Sequence, residues 1–225
     1  MAEYRAVSGT AVAALVVGLL APLAMIDPLL WAVPIAGLLL GLVALWRVYR
    51  LRPALIGRKA ALIGLFLSLL WGVAGPSDFA AFRCMLRREA RQFARAWFGF
   101  LADNEPQKAH QLTVYPTYRQ AFDERLDSFY REGSKWRSEL DGYALHPPVR
   151  TLLDLGPRAE VRYLRTTNQC REQGSDLVDQ LYAVRSEENG RPQEFEVSMQ
   201  LQRVYLDDGR ANWRILRAEL VSLSE

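Results

Sequence analysis

The sequence has few of the residues from which catalytic and metal sites are usually built. Its only imidazoles are His110 and His146, and neither has a carboxylate or a cysteine at the spacing of metal ligands. It contains no GxSxG motif, no glycine-rich phosphate loop and no HExxH motif. We therefore predict no catalytic residue, no metal ligand and no cofactor, and we expect both histidines to have surface or structural roles.

The acidic residues of the C-terminal part are equally unspecific. Candidate acids lie on predicted helices, where a solvated helix face is the ordinary explanation: Asp123, Glu124, Asp127 and Asp154. An enzyme assembled from distant Tyr, Asp and His side chains remains an alternative. It would need a deep polar pocket with at least one titratable group of shifted pKa.

Charge is absent from three long stretches near the N-terminus, residues 6–26, 28–46 and 60–77. Each has about 18 to 21 residues, enough to cross a hydrocarbon core about 30 Å thick as a helix. We predict a membrane α domain at residues 1–77 with three transmembrane helices at about residues 7–26, 29–46 and 58–75. A globular domain follows at residues 78–225.

The first stretch has two interpretations. A cleaved signal peptide is one alternative, but the length of the stretch, Pro22 and the second span that follows at once favour a retained anchor. The interiors of the predicted spans lack ionisable residues, which argues against a transporter or a proton path.

Small residues recur every four positions on two of the predicted spans. They are Gly37 and Gly41 on the second span, and Gly64, Ser68 and Gly72 on the third. This spacing predicts a helix-packing face, through which the chain could also form a homo-oligomer. The alternative is that glycine is simply common in membrane helices.

Basic residues near the predicted spans determine the expected orientation. The connector between the second and third spans carries Arg47, Arg50, Arg52, Arg58 and Lys59, and with three spans it shares a side with Arg5. The positive-inside rule makes that side cytoplasmic and the C-terminal domain external.

Lysine occurs only three times, which favours a GC-rich bacterial genome. We predict a multi-pass protein of the bacterial inner membrane.

Five arginines follow the third predicted span and oppose that orientation: Arg83, Arg87, Arg88, Arg91 and Arg95. They lie on an amphipathic helix whose other residues are apolar at intervals of three and four. Contact with anionic lipid headgroups is one interpretation of this basic surface, and a solvated helix face is the other.

The predicted spans around the basic connector resemble a known family. The run Gly37-Leu-Leu-Leu-Gly41-Leu-Val-Ala-Leu-Trp-Arg47 and the run Gly57-Arg-Lys-Ala-Ala-Leu-Ile-Gly64-Leu are similar to the small bacterial membrane domain of unknown function numbered four-one-nine-zero. The resemblance covers about residues 8–75, with Lys59 and Ala60 where a Gly-Leu pair is frequent. It implies no activity. Members of the family typically tether envelope domains, which agrees with an external C-terminal domain.

The C-terminal pattern predicts helices followed by strands. The amphipathic helix is expected to begin at Ser77 as its N-cap and to stop at Asn104-Glu105-Pro106. Further helices are expected at about residues 117–132 and near Trp136, and His146-Pro147-Pro148 is expected to be an extended linker.

Two hairpin turns are the sharpest local signals in the strand region. Asn189-Gly190 and Asp208-Gly209 each lie between runs of strand character, as two-residue turns require. A further strand containing Val161 is expected before them, joined through a longer loop that contains Cys170 and Gly174. The sequence thus predicts about four antiparallel strands.

The two turns also predict a register with one apolar face. The expected pairs are Val184 with Phe195, Tyr182 with Val197, Val178 with Leu201, Leu201 with Leu216, Met199 with Ala218, and Val197 with Leu220. Gln180 is the one polar residue on this face. Near the second turn the apolar residues shift phase to Val204 and Trp213, which predicts a bulge or a strong twist.

This order of elements resembles the nuclear-transport-factor-two-like, or cystatin-like, superfamily over about residues 80–225. The resemblance lies in a long first helix ending near Trp97-Phe98-Gly99-Phe100-Leu101, shorter helices and then long strands. It implies an α+β fold with helices packed on a curved antiparallel sheet. The superfamily includes enzymes with a conical pocket and many non-catalytic binding or assembly domains, so the fold does not choose the function.

Cys84 and Cys170 are the only cysteines. In an external domain they could form a disulfide, and two buried free thiols are the alternative.

Nucleic acid is not an expected partner, because the arginines of the domain are dispersed among acids.

The sequence favours a membrane-anchored, non-catalytic envelope protein whose α+β domain binds an unknown protein partner or small ligand. Two alternatives stay open. One is an enzyme with its active site in the cone of the α+β domain, and the other is a scaffold that acts through its transmembrane helices.

Overall fold

The computed structural model describes residues 6–7, 9–50, 55–188 and 191–221 of the chain. These residues divide into two compact units, Met1–Cys84 and Met85–Glu225. The boundary between the units lies within one helix.

The first unit is helical. It contains α1 (Gly9–Leu20), α2 (Ala32–Arg50) and the first part of α3 (Arg58–Ala102), with 3₁₀ turns at Ala21–Met25 and Pro28–Trp31. Two residue pairs, β1 (Ala6–Val7) and β2 (Leu55–Ile56), form a short parallel bridge.

The prediction of three spanning helices is corrected to two among the described residues. The helices long and apolar enough to cross a membrane are Pro28–Arg50 and Arg58–Ala102, while Gly9–Met25 is a shorter apolar helix. Pro22 gives the physical reason. It has no N–H to donate to the preceding turn, so regular α-helix ends at Leu20 and a 3₁₀ turn follows.

The expected helix start at Ser77 is wrong, because α3 runs unbroken from Arg58 to Ala102 with Pro76 inside it. A proline removes one backbone hydrogen bond, but the segments on both sides of Pro76 have strong helical patterns that continue through it. The expected stop before Pro106 is confirmed, since α3 ends at Ala102.

Large apolar side chains of the first unit point outward, and small residues lie inside. Leu29, Ile26 and Phe66 expose 85%, 76% and 64% of their surface, whereas Ala11, Ala44 and Ala61 are fully buried. A water-soluble unit would bury its large apolar side chains. This distribution is the one expected of helices that contact lipid.

The second unit places helices before a four-stranded antiparallel sheet, so the α+β arrangement is confirmed. Its short helices are α4 (Pro106–Gln111), α5 (Arg125–Glu132), α6 (Ser134–Leu145) and α7 (Pro147–Leu155). The helix expected at residues 117–132 therefore begins later, at Arg125. The prolines of the expected linker instead occupy the first turn of α7, where a missing N–H costs nothing.

The sheet is an up-and-down meander of β3 (Glu160–Glu172), β4 (Ser175–Glu188), β5 (Arg191–Tyr205) and β6 (Ala211–Val221). The predicted long loop before β4 is wrong, because β3 extends through Cys170 to Glu172. Gln173 and Gly174 make the connection with φ angles of 48° and 77°, as a two-residue type I′ turn requires. The predicted Asn189-Gly190 turn lies outside the described residues.

The predicted register is confirmed for all three pairs between β4 and β5. Between β5 and β6, Met199 pairs with Ala218 and Val197 with Leu220 as expected, but Leu201 pairs with Ile215 instead of Leu216. The register shifts between Gln200 and Leu201, which confirms the predicted bulge. Trp213 is buried on the same face as Leu201 and Ile215, whereas Val204 pairs with Asn212 and is buried on the opposite face.

The C-terminal part of α3 packs on this sheet and forms the core of the second unit. Trp97, Leu101 and Met199 are fully buried there. Two polar bridges attach the helix to the strands: Gln180 donates to the Arg87 carbonyl at 3.1 Å, and the Trp213 indole donates to Glu89 at 3.1 Å. The helix is thereby fixed over the strands that line the pocket described next.

Candidate functional site

A pocket of about 420 Å³ lies between the C-terminal part of α3, the end of α7 and strands β3 and β4. We call it the arginine pocket, because Arg91, Arg95 and Arg162 all line it. The volume is within the range of small-molecule sites, which hold roughly 300 to 1,000 Å³. All of its walls belong to the second unit.

The remaining walls are aromatic and aliphatic. Phe98 and Leu152 contribute from the helices, and Val161, Tyr163 and Tyr182 from the strands. The described residues that line the pocket include no carboxylate. Its fixed charge is therefore positive, on a largely apolar floor.

Arg91 is held against the floor of the pocket. Its guanidinium carbon lies 4.7 Å from the centroid of the Tyr163 ring, a cation–π arrangement. Its Nε is buried and has no hydrogen-bond partner among the described residues. The Nε is shielded from solvent, so Arg91 lines the pocket with other atoms of its side chain.

A chain of hydrogen bonds fixes the two tyrosines of the pocket. The Tyr182 hydroxyl donates to Gln180 Oε1 at 2.6 Å, and Gln180 Nε2 lies 3.5 Å from Thr166 Oγ1. Tyr163 and Thr166 share a hydroxyl contact of 2.9 Å. The rings therefore offer their faces to the pocket while their hydroxyl groups are engaged elsewhere.

Tyr182 stays protonated in this setting. Burial raises the pKa of its hydroxyl well above the ordinary value, Tyr163 adds to the rise, and the charges of Arg91 and Arg95 oppose it. The Tyr182 hydroxyl is therefore a neutral group beside a positively charged, largely apolar lining.

A second pocket of about 400 Å³ lies beside β6 and is lined by Trp97, Tyr143, His146 and Glu219 among others. It contains the imidazole and the carboxylate that the arginine pocket lacks. Tyr143 accepts a hydrogen bond from the Trp97 indole at 2.6 Å, and burial raises its pKa. This hydroxyl is a neutral structural partner rather than a base.

His110 lies in a buried network beside Tyr143. Gln111 Nε2 donates to the Tyr130 hydroxyl at 2.7 Å, and the same hydroxyl forms a hydrogen bond with His110 Nδ1, also at 2.7 Å. Burial lowers the pKa of His110, although the charge of Glu139 opposes the shift. The geometry therefore agrees with the structural role expected for this residue.

No protein-family model, no curated protein and no solved structure matches the chain. The two family resemblances inferred from the sequence therefore stay predictions. Function must be argued from the pockets and surfaces themselves.

The structure separates the five arginines that were predicted to contact headgroups. Arg83 belongs to the first unit and lies 5.5 Å from the Phe79 ring centroid. Arg87 and Arg88 are exposed on α3, whereas Arg91 and Arg95 line the arginine pocket. Headgroup contact remains a prediction for this set.

The residues predicted for helix packing all lie in the first unit: Gly37, Gly41, Gly64, Ser68 and Gly72. A Cβ on Gly37 would collide with the hydroxyl of Ser68, and one on Gly64 would lie 2.5 Å from the Ala14 carbonyl oxygen. Gly41 similarly faces Leu65 and Gly72 faces Pro34. These small residues are used for contacts within one chain.

Cys84 and Cys170 are both free thiols in the structure, and the disulfide stays a prediction. Cys84 lies in the first unit on α3, and Cys170 lies on β3 in the second unit.

Among the described residues, no three His, Cys, Asp or Glu side chains are grouped so that they could hold a metal ion.

Sequence reasoning selected Arg91 and Arg95 but not the rest of the arginine pocket. Arg162, Tyr163 and Tyr182 come from two strands that lie far from α3 along the chain. The one available signal was the pairing of Tyr163 with Tyr182 once β3 is extended to Glu172. Because a long loop was predicted between β3 and β4, this pairing could not be recognised from the sequence.

Proposed function

We propose that the chain is a membrane-anchored, non-catalytic protein of the bacterial envelope whose α+β unit binds a small ligand in the arginine pocket. The observation that carries the proposal is the pocket itself, with its volume of about 420 Å³ and its lining of guanidinium, aromatic and aliphatic groups. Its titratable groups favour binding over proton transfer.

The first unit supplies the anchor in this proposal. Two helices have the length and the apolar composition to cross a membrane, and the large side chains of the unit point outward. The basic connector and the resemblance to the tethering membrane domain support an inner-membrane location with the α+β unit outside. The resemblance to the nuclear-transport-factor-two-like superfamily supports a binding cone over a curved sheet.

Filling the pocket tests whether it binds ligands. Gly99 lines the arginine pocket, and a Cβ built on it meets no atom within 4 Å. Gly99→Leu should therefore occupy pocket space without a clash. Gly142→Leu on α6 is the matched control, because a Cβ at this other exposed helical glycine also meets no atom within 4 Å. Both changes raise helix propensity by up to about 1 kcal/mol, so neither should unfold the unit.

The measurement is saturation-transfer NMR on the full chain in neutral phosphatidylcholine nanodiscs, with water-soluble aromatic fragments of positive, zero and negative charge. We expect fragments that bind the wild-type chain and Gly142→Leu to lose binding in Gly99→Leu. Binding that is equal in the two variants, or no binding to the wild-type chain, would refute a ligand site in this pocket.

The second pocket carries the enzyme alternative. His146 and Glu219 line it together and could act as an acid–base pair if a substrate brought them into reach. That alternative predicts a ligand whose binding is retained in Gly99→Leu and changes when His146→Gln or Glu219→Gln is introduced. The same fragment screen therefore distinguishes the two pockets.

The scaffold alternative proposed assembly through the small-residue faces of the spans. Gly37, Gly41 and Gly64 face neighbouring helices of the same chain, and in our proposal they hold the first unit together. An oligomer would need a different surface.

A further inference from the structure

We infer that the ligand of the arginine pocket is an anion with an apolar body, whose carboxylate, sulfonate or phosphate group is bound by Arg91 and Arg95. This inference rests on the proposed function, since it names the chemical class that the pocket would accept. It is carried by three features of the lining: a fixed guanidinium, uncompensated charge and an apolar floor.

The fixed guanidinium belongs to Arg91. Its central carbon lies 4.7 Å from the centroid of the Tyr163 ring, and Arg91 also lines the pocket. A guanidinium held in one place loses less conformational freedom when it binds, and it pairs with an oxyanion in a planar geometry.

The charge of the pocket is uncompensated. Arg91 and Arg95 are four residues apart on α3, so they lie on the same face and repel each other. Arg162 borders the pocket but lies on the opposite face of β3 from Val161 and Tyr163, so the charge of the pocket comes from the two arginines of α3. The described lining contains no carboxylate. A bound anion would relieve this repulsion, which a neutral or cationic ligand would not.

The apolar floor defines the rest of the ligand. Phe98, Leu152 and Val161 line the pocket beside the faces of two tyrosine rings. These surfaces can take an aromatic or aliphatic body but offer few polar partners. A bare inorganic ion would leave most of the volume of about 420 Å³ unfilled. The geometry therefore favours an organic acid over free phosphate.

The test compares two probes that share one apolar body and differ in whether the head group is anionic or neutral. Naphthalene-2-sulfonate and neutral naphthalene-2-sulfonamide share one body and one head shape, and both are titrated calorimetrically into the full chain in phosphatidylcholine nanodiscs. We expect the sulfonate to bind at least about tenfold more tightly, as charge-assisted hydrogen bonds to arginine imply.

Arginine variants locate the charge preference. Arg91→Gln and Arg95→Gln should each weaken sulfonate binding by about tenfold and leave sulfonamide binding unchanged. Arg88→Gln is the matched control, because it removes the same charge from an exposed position on the same helix outside the pocket lining. Arg95 is itself exposed, so its variant keeps the test valid if Arg91→Gln fails to fold.

The outcomes separate this inference from the proposed function. Equal affinity for the two probes, with both lost in Gly99→Leu, overturns the anion and keeps the pocket as a ligand site. Binding of neither probe to the wild-type chain overturns both. A sulfonate preference that survives in both pocket variants overturns the assignment to Arg91 and Arg95.

The anion could come from a lipid headgroup or from a soluble acid. Native mass spectrometry of the full chain extracted from membranes distinguishes them. An anionic lipid that is bound by Arg88→Gln but lost from Arg95→Gln supports the inference with the membrane as its source, and a soluble acid with the same behaviour supports it with a solution source. An anion that is retained equally by Arg88→Gln and Arg95→Gln contradicts it.

Discussion

Gln180 shows how one polar residue is accommodated on an otherwise apolar sheet face. The side chain projects from β4 towards α3 and is fully buried. Its amide nitrogen donates to the Arg87 carbonyl at 3.1 Å, and its amide oxygen accepts from the Tyr182 hydroxyl at 2.6 Å. The amide thus joins the helix to the strand and holds one wall of the arginine pocket.

We predict that Gln180→Leu lowers the free energy of unfolding of the second unit by about 1 to 3 kcal/mol, because the buried Tyr182 hydroxyl loses its acceptor. Tyr182→Phe should lower the free energy of unfolding by a similar amount, because the amide oxygen of Gln180 loses its hydrogen-bond donor. The double variant removes both partners, so we expect it to be less destabilised than the sum of the single changes. Denaturant unfolding followed by tryptophan fluorescence measures all three, and strict additivity would contradict the pairing.

The sequence identified Gln180 as an exception but not its partners. A period of two along β4 predicts which face the residue occupies, and that much was correct. Its donor contact reaches a helix carbonyl 93 positions earlier in the chain, which no local pattern encodes. The same limit explains why Arg91 and Arg95 were recognisable as a basic surface but not as one wall of a pocket.

At the level of elements, one loop explains why the predicted register between β5 and β6 was right in part. Asp208-Gly209 was expected to close a two-residue turn. Instead Leu206 bonds to Arg210 at 2.8 Å, and Gly209 adopts a φ of 79°, as in a three-residue loop with a glycine bulge. This loop moves the register by one residue.

The bulge between Gln200 and Leu201 reverses that displacement. On the loop side Leu201 pairs with Ile215, and beyond the bulge Gln200 pairs with Arg217, so Leu216 is the extra residue. A one-residue slip turns side chains to the opposite face, so only pairs beyond the bulge match the simple prediction. In the sequence, the change of apolar pattern at Trp213 was the signal of this change in register.

Close backbone contact between helices defines the first unit, and it can be tested on α3. A Cβ at Gly64 would lie 2.5 Å from the Ala14 carbonyl oxygen, whereas a Cβ at Gly72 would make an ordinary contact of 3.4 Å with Pro34. We predict that Gly64→Ala destabilises the unit by about 1 to 3 kcal/mol through overpacking. Gly72→Ala, on the same helix, should be tolerated.

The measurement is the thermal unfolding midpoint of the full chain in detergent, together with its oligomer size. Because both glycines face helices of the same chain, Gly64→Ala should lower the midpoint without changing the oligomer size. An unchanged midpoint with a smaller oligomer would instead return the small-residue face to an assembly role.

The whole molecule combines two units with opposite surfaces. The first exposes large apolar side chains, and the second buries them in a core around Trp97. This contrast was predictable from charge-free stretches of sequence, since length and composition alone decide it. In the proposed membrane arrangement the side that the second unit occupies depends on two competing basic clusters, and no contact among the described residues determines it.

We predict that the second unit is external, and Cys170 offers a direct measurement. In a Cys84→Ser variant, Cys170 on β3 is the remaining thiol, and it is partly exposed. Burial and the charge of Glu172 raise its pKa, so labelling should be run at mildly alkaline pH. A membrane-impermeant maleimide should label intact cells once any outer membrane is permeabilised, and a variant lacking both cysteines should remain unlabelled.

Labelling only after lysis of the inner membrane would reverse the orientation. The arginines from Arg83 to Arg95 would then be the positive-inside signal, and the pocket would draw its anion from the cytoplasm.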